Sequence, residues 1–400
     1  MASLPDLARQ AAAAVDAAAL TDLAQQLIQL DTQAPEPGEG AAADLLEGYL
    51  RERGFTVTRQ EVAPGRPNLT ADLGEGDGGL ILEGHTDVVS VGDAGAWRVP
   101  PFEGRIEGDL LHGRGSADMK AGLAAAIAAA LAVRAVLPEP RRRLRLAILC
   151  DEEGLMLGVK AFVRAGYAAG FAGAIICEPE ENEVCLVQKG AMRAWVDFTG
   201  KMAHGAMPYA GANPIPAAAA FVSGLAAIAR AQPIHPVLGE VYLTPTVFEA
   251  SAGPGQNNVI PGACRVGLDV RTVPGVDHAA LTGEIQAHLT ATLAAFPGVT
   301  AALDVYEDRP ATETPPGASI VQAVKEALTL TGQPVRHGGV PGATDGTFLS
   351  AWGGVPIVTI GPGDRSIPHQ RDEWVSISQM VAAARMYAAA AVLFLQREDG

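Results

Sequence analysis

Five short stretches of the sequence end in residues that can hold a cation or move a proton. L-I-L-E-G-H-T-D-V-V places His85 and Asp87 two apart, so that in an extended segment both project to one side. L-L-H-G-R-G-S-A-D-M-K-A-G carries Asp118 at the mouth of an Ala-rich stretch. L-R-L-A-I-L-C-D-E-E-G closes on Asp151, Glu152 and Glu153, I-I-C-E-P-E on Glu178, and G-P-G-D-R-S-I-P-H-Q on His369. Imidazole and carboxylate together suit zinc, and a carboxylate beside a metal suits general-base work on water. Each stretch also has an ordinary account. Asp118 would cap a helix, Glu178 would end a strand in solvent, His369 would sit on a surface loop, and three adjacent acids would form a solvated turn. The combination favours chemistry, because two histidines and several carboxylates, each closing a separate apolar run, rarely collect on one rim by chance.

Apolar runs must deliver these residues to a common place. Strand-like segments near 80, 145 and 175, and V-P-I-V-T-I-G-P-G at 355–363, alternate with helical stretches, including an Ala-rich helix from about 121. This alternation predicts an α/β layer with a largely buried sheet. In such sheets ligands bind beyond the carboxyl ends of the strands, where the polar residues fall. Between 187 and 301 the pattern changes. M-R-A-W-V-D-F-T-G and C-R-V-G-L-D-V-R alternate in polarity, and helices are expected at 213–230 and 277–294. An inserted α+β sandwich with one covered sheet face follows, which makes the first domain discontinuous, 1–186 and 302–400.

Four hundred residues with 48% apolar content supply enough core for two domains. The formal charge of −16 opposes polyanion binding, and the one basic cluster, Arg141–Arg143 with Arg145, reads as a solvated turn. No nucleic-acid partner is expected. Asp6 and Arg9 fall where an export signal needs an unbroken apolar stretch. The apolar segments at 121–137 and 215–229 read as too short and too weakly hydrophobic to span a bilayer and as tightly packed buried helices instead, so no membrane partner is expected either. Cys150, Cys177, Cys185 and Cys264 stand singly, as reduced thiols in a cytoplasm would.

The motifs G-H-T-D-V-V, G-R-G-S-A-D-M-K-A-G, D-E-E-G, C-E-P, H-G-A-M-P-Y-A-G-A-N-P-I, N-V-I-P-G with D-V-R, G-A-T-D-G and I-P-H run in this order from about 80 to 370. Together they resemble the dizinc metallopeptidase family of acetylornithine deacetylase, succinyl-diaminopimelate desuccinylase, aminoacylase and carboxypeptidase G. The resemblance implies a zinc-exopeptidase-like catalytic domain, with a central mostly parallel sheet between helices. It also implies that 187–301 is a ferredoxin-like lid and dimerisation domain. His85 and Glu178 would bind one Zn²⁺, Glu153 and His369 the other, and Asp118 would bridge them, although the same ligands accept Co²⁺ or Mn²⁺. Co-catalytic ions lie roughly 3.5–4 Å apart and bring the pKa of bound water toward about 7.

By the same resemblance Asp87 orients His85 and Glu152 is the general base. His204 reaches across a homodimer to stabilise the oxyanion, and Arg271 clamps a substrate carboxylate. Asn258 bonds substrate or merely shapes a turn, and the Gly342–Gly346 segment either lets backbone approach substrate or is a plain turn. A cis peptide is implied after Asp118. Asp151 receives no role. Ala121 stands where the family usually has a glycine, and Glu rather than Asp at 178 is more typical of its deacylases and carboxypeptidases. The expected activity is hydrolysis of a small N-acyl amino acid. The alternatives are a dipeptidase or carboxypeptidase-like exopeptidase and, remotely, a non-catalytic homologue.

Overall fold

The computed structural model describes residues 3–36, 38–250 and 256–397. The chain divides into two compact units, the first comprising residues up to Leu186, Thr314–Val340 and those from Thr344 onward, the second Val187–Glu313 with Pro341–Ala343. The expected insert ends at 301, but its last strand, Thr300–Arg309, pairs with Gly190–Thr199 along its whole length, so the second unit continues to Glu313. Backbone pairing, invisible in composition, sets that boundary.

The first unit is a mixed sheet between helices. Leu144–Leu149, Gly79–His85, Phe171–Ile176 and Ile357–Thr359 run parallel in that order, and Thr56–Ala63 and Arg66–Leu73 add antiparallel strands at one edge. The strands Leu144–Leu149 and Gly79–His85 are buried along their whole length, as expected for strands covered on both faces. Alternate residues go to opposite layers. Leu80 and Leu82 meet the helices Ala121–Val136 and Ile377–Gln396, whereas Ile81 packs with Phe162 and Phe348 from the helices Leu157–Arg164 and Gly346–Ala351. The N-terminal helix Leu4–Ala13 buries Ala8, Ala11 and Ala12 in the first of these layers.

Three helices, Ser116–Val136, Pro214–Ala231 and Ile377–Gln396, are long and apolar enough to cross a membrane. The exclusion drawn from length and hydrophobicity therefore fails. Packing is what makes core helices of the first and third, whose apolar windows are 78% and 67% buried; Pro214–Ala231, expected to be buried as well, is only 28% buried, because it packs on the sheet of its unit through one face, with Ala217, Ala218, Phe221 and Leu225. The basic cluster also differs from expectation. Arg145 is buried, makes a paired contact with Asp72 (Nε–Oδ1 2.7 Å, Nη2–Oδ2 2.5 Å) and lies over the Phe171 ring. A guanidinium in strand register with Asp72 gains more from that fork than from solvent.

The second unit is a four-stranded antiparallel sheet in the order Tyr242–Glu249, Ala263–Thr272, Gly190–Thr199, Thr300–Arg309. Its core joins Met192, Ala194, Val196 and Phe198 to Phe221 and Leu225 of the helix Pro214–Ala231 and to Leu281, Ile285 and Leu289 of His278–Leu293. Arg193, Trp195 and Asp197 alternate with these and stay partly exposed, the one-faced pattern that the sequence announces.

Candidate metal centre

The polar residues at the strand ends of the first unit converge. His85 is the last residue of its strand, Asp151–Glu153 follow Leu149, and Glu178 follows Ile176 by two residues. Asp118 lies in the irregular turn Ser116–Lys120 before the helix Ala121–Val136. His369 ends a loop beyond Ile357–Thr359. The ligand atoms of His85, Asp118 and Glu178 lie within 4.8 Å of one another, as do those of Asp118, Glu153 and His369.

Asp118 links the two groups through different oxygens. Its Oδ1 is 3.2 Å from His85 Nε2 and its Oδ2 3.4 Å from His369 Nε2. Glu178 Oε1 stands 3.8 Å from His85 Nε2, and Glu153 Oε1 3.1 Å from His369 Nε2. The ordinary accounts of these residues fail one by one. Asp118 makes no cap, because the following helix starts without a side-chain cap bond and Asp118 itself has non-helical dihedrals. Glu178 is buried rather than ending in solvent. His369 is exposed, but its ring addresses two carboxylates rather than water alone.

The electrostatics indicate a demand for positive charge. Burial opposes charge on His85, yet the carboxylates of Asp118, Asp87 and Glu178 outweigh it and hold its pKa well above the ordinary value. Hydrogen bonds to Asp118 and Glu153 push His369 up to about 10. Burial, and then the charge of Asp118, raise Glu178 well above the carboxylate range and raise Glu153 as well. A cluster that holds on to protons at both its imidazoles and at Glu153 and Glu178, while its two histidines keep Asp118 ionised, is one that divalent cations satisfy, and its N and O donors fit them. The residues therefore suit two ions with Asp118 between them.

Asp87 orients His85, but not as expected. The partner of His85 Nδ1 is the main-chain carbonyl of Asp87 at 2.9 Å, whereas the Asp87 carboxylate is 3.6 Å away. That carboxylate instead accepts the Glu152 and Glu153 amides, at 3.1 and 3.0 Å. It thus fixes the turn that carries the expected base and a ligand. Glu152 itself is buried and its charge is felt at His85 and Glu178.

Glu373 is a residue that sequence reasoning missed. Fully buried, it accepts the amides of Gly115 (3.0 Å), Ala117 (2.8 Å) and Asp118 (3.1 Å), together with the Arg114 guanidinium at 2.5 Å. One carboxylate thus fixes the turn that aims Asp118, in which the Asp118–Met119 peptide is cis. The only available signal was the H-x-x-x-E spacing from His369. In the same region, Gly122 is the glycine that matters: an added Cβ there would come 2.0 Å from the Cys177 carbonyl oxygen, while Ala121 is accommodated in the core.

The remaining candidates lie in the second unit and are not among these two groups. His204 pairs in register with Val259 in a short ribbon, is exposed, and accepts the Ala206 amide at Nδ1 (3.0 Å). The Asn258 carbonyl accepts the Gly205 amide, so this ribbon brings His204 and Asn258 together. Arg271 forks onto its neighbour Asp269, Nε–Oδ1 2.6 Å and Nη2–Oδ2 3.1 Å. Gly342 has open space where a Cβ would stand.

Residues 81–392 match the pattern of peptidase family M20/M25/M40. The chain belongs to that family. This M20 chain is a metal-dependent hydrolase of the metallopeptidase class. It is 33% identical over 366 residues to a succinyl-diaminopimelate desuccinylase of Ruegeria pomeroyi, covering 88% of this chain and 93% of that protein. In fold it is similar to the dipeptidase Dug1p of Saccharomyces cerevisiae, with TM-score 0.78, 16% identity and 99% of each chain covered. It is also similar to a dinuclear metal-binding M20 peptidase of Bacillus subtilis, with TM-score 0.73, 17% identity and 95% and 98% coverage.

Proposed function

We propose that this M20 protein hydrolyses the amide bond of a small N-acyl amino acid, releasing a carboxylate and an amine. The observation that carries the reading is the pair of ligand groups joined by Asp118, with Glu152 on the same turn as Glu153. His85 and Glu178 would hold one Zn²⁺, Glu153 and His369 the other, with Asp118 common to both groups. When bound, the ions supply Lewis acidity, which activates water at neutral pH and polarises the scissile carbonyl. Glu152 takes the proton of the attacking water and delivers it to the leaving amine nitrogen. Asp87 keeps the Glu152 and Glu153 amides in place throughout.

Arg271 binds the carboxylate of the amino acid, exchanging Asp269 for substrate, and His204 stabilises the developing oxyanion. The second unit works as a lid and joins two copies into a homodimer, a reading supported by the exposed apolar side of Pro214–Ala231 and by the exposed Tyr242 and Phe248 on the edge strand. The four buried free thiols support residence in a reducing cytoplasm. Preference for an acyl amino acid over a dipeptide rests on the identity to a desuccinylase.

Hydrolysis should be measured on N-acetyl and N-succinyl amino acids and on dipeptides, before and after treatment with a chelator. Metal-dependent cleavage of an acylated amino acid is expected. Full activity in metal-free protein overturns the mechanism, and turnover of dipeptides alone moves the substrate to the exopeptidase class.

A further inference from the structure

Asp151 is the first acid of D-E-E-G and belongs to neither ligand group. In the structure it adopts the left-handed region with φ 62°. Its Oδ2 accepts the Leu155 and Leu157 amides at 3.1 and 3.2 Å, and its carbonyl accepts the Met156 amide at 2.7 Å. The turn is thereby wrapped around the carboxylate, closely enough that a Cβ on Gly154 would come 2.3 Å from Asp151 Oδ1. That oxygen takes the Arg66 guanidinium, Nη1–Oδ1 2.5 Å. Arg66 spends its other nitrogens on Glu39 Oε1, with Nε at 2.8 Å and Nη2 at 2.5 Å.

All three side chains are buried, Glu39 completely. Arg66 begins a strand of the sheet and Glu39 begins the helix Glu39–Glu52, so the cation ties the turn to two fixed elements. On the other side of the turn the Asp87 carboxylate holds the Glu152 and Glu153 amides. Glu152 and Glu153 therefore project from a backbone gripped at both ends, by Asp87 and by Asp151 through Arg66.

We propose that Arg66, bridging Glu39 and Asp151, is a positioning residue that sets the aim of Glu152 and Glu153. The inference rests on the functional reading above for the roles of those two carboxylates. A planar fork bonds two carboxylates at once, whereas an ammonium cannot span both with the same geometry. Outer partners of this kind change metal affinity or activity by about 10–100-fold.

The test compares the wild type with Arg66→Lys and with the charge-compensated double variant Arg66→Met/Asp151→Asn. For each, kcat and KM on the best acyl amino acid, Co²⁺ affinity by calorimetry, and Tm are measured. Expected for Arg66→Lys is a loss of about 10–100-fold in kcat and in the affinity of one of the two Co²⁺ sites, with KM within about twofold. The amide oxygen introduced by Asp151→Asn can still accept the Leu155 and Leu157 amides, and Glu39, whose pKa burial already raises, neutralises itself by taking up a proton, so the double variant should regain part of the Tm that Arg66→Lys loses while kcat and Co²⁺ affinity stay low. If Arg66→Lys loses Tm but keeps kcat and both affinities, or if the double variant regains all three, the residue only neutralises buried charge and the proposal is overturned. Should the double variant fail to fold, Arg66→Lys alone decides. A wild type that binds two Co²⁺ ions but cleaves no substrate refutes the functional reading, and the positioning role is then judged on the Co²⁺ affinities.

Discussion

The two units treat their polar residues in opposite ways. In the first, each candidate side chain is locked by others: His85 by the Asp87 carbonyl, the Asp118 turn by Glu373, and the D-E-E-G turn by Asp87 and Asp151. In the second, His204 and Asn258 are exposed on and beside a two-strand ribbon, and Arg271 forks onto its neighbour Asp269, its one ion pair among the described residues. Groups that hold metal and move protons gain from fixed geometry, because any reorganisation adds to the barrier. Groups proposed to meet a substrate must be able to exchange partners, and a partly exposed ion pair such as Arg271–Asp269 costs less to exchange than a buried one.

Variants in the two units should therefore fail differently. The largest effect is expected from Glu152→Gln, a loss of roughly 10²–10⁴-fold in kcat with both metals retained. Steady-state kinetics alongside metal analysis check it, and loss of metal would mean that Glu152 is a ligand rather than a base. Next, His204→Ala should reduce kcat by about 10²–10³-fold without changing metal content. If metal is lost instead, the contrast between the units collapses.

Arg271→Met should raise KM by roughly 10–100-fold for a substrate with a free carboxylate, the scale of a charge-assisted hydrogen bond. The same variant assayed on the corresponding amide, which lacks that charge, should show little further loss. An equal effect on both substrates would leave Arg271 with a purely structural pairing to Asp269.

The effect that is smallest per step is one of pH. Hydrogen bonds to Asp118 and Glu153 raise His369 from 6.5 to about 10, so in metal-free protein the ring keeps its proton across that interval. The proton stabilises the metal-free fold fully below 6.5, and this contribution is lost as pH rises through 10. A metal must displace the same proton, so affinity should climb about tenfold per pH unit within the interval. Calorimetry in buffers of different ionisation enthalpy counts the protons released; a count of zero would show that His369 is not displaced from its carboxylates by metal.

Much of this was legible beforehand because the strand-end residues follow from a local rule. An apolar run that stops at a His or an acid delivers it to the carboxyl rim of the sheet, and five stretches pointed to His85, Asp118, the run Asp151–Glu153, Glu178 and His369, while the choice of Glu153 as ligand and Glu152 as base came from the family resemblance. The supports were not legible. Glu373 meets the amides of Gly115, Ala117 and Asp118 across more than 250 residues of sequence, and Arg66 meets Asp151 across 85. A main-chain carbonyl as the partner of His85 leaves no trace in residue type at all.

The sequence by itself determined which residues can bind metal, which strands are buried on both faces and where an insert begins, because side-chain type and polarity period are local quantities. Only the tertiary structure decided that the insert runs to Glu313 and that Arg145 is buried against Asp72. It also decided that Asp151 closes a turn through Arg66. Each of these is fixed by backbone pairing or by burial of one charge against another, and neither exists until distant parts of the chain meet.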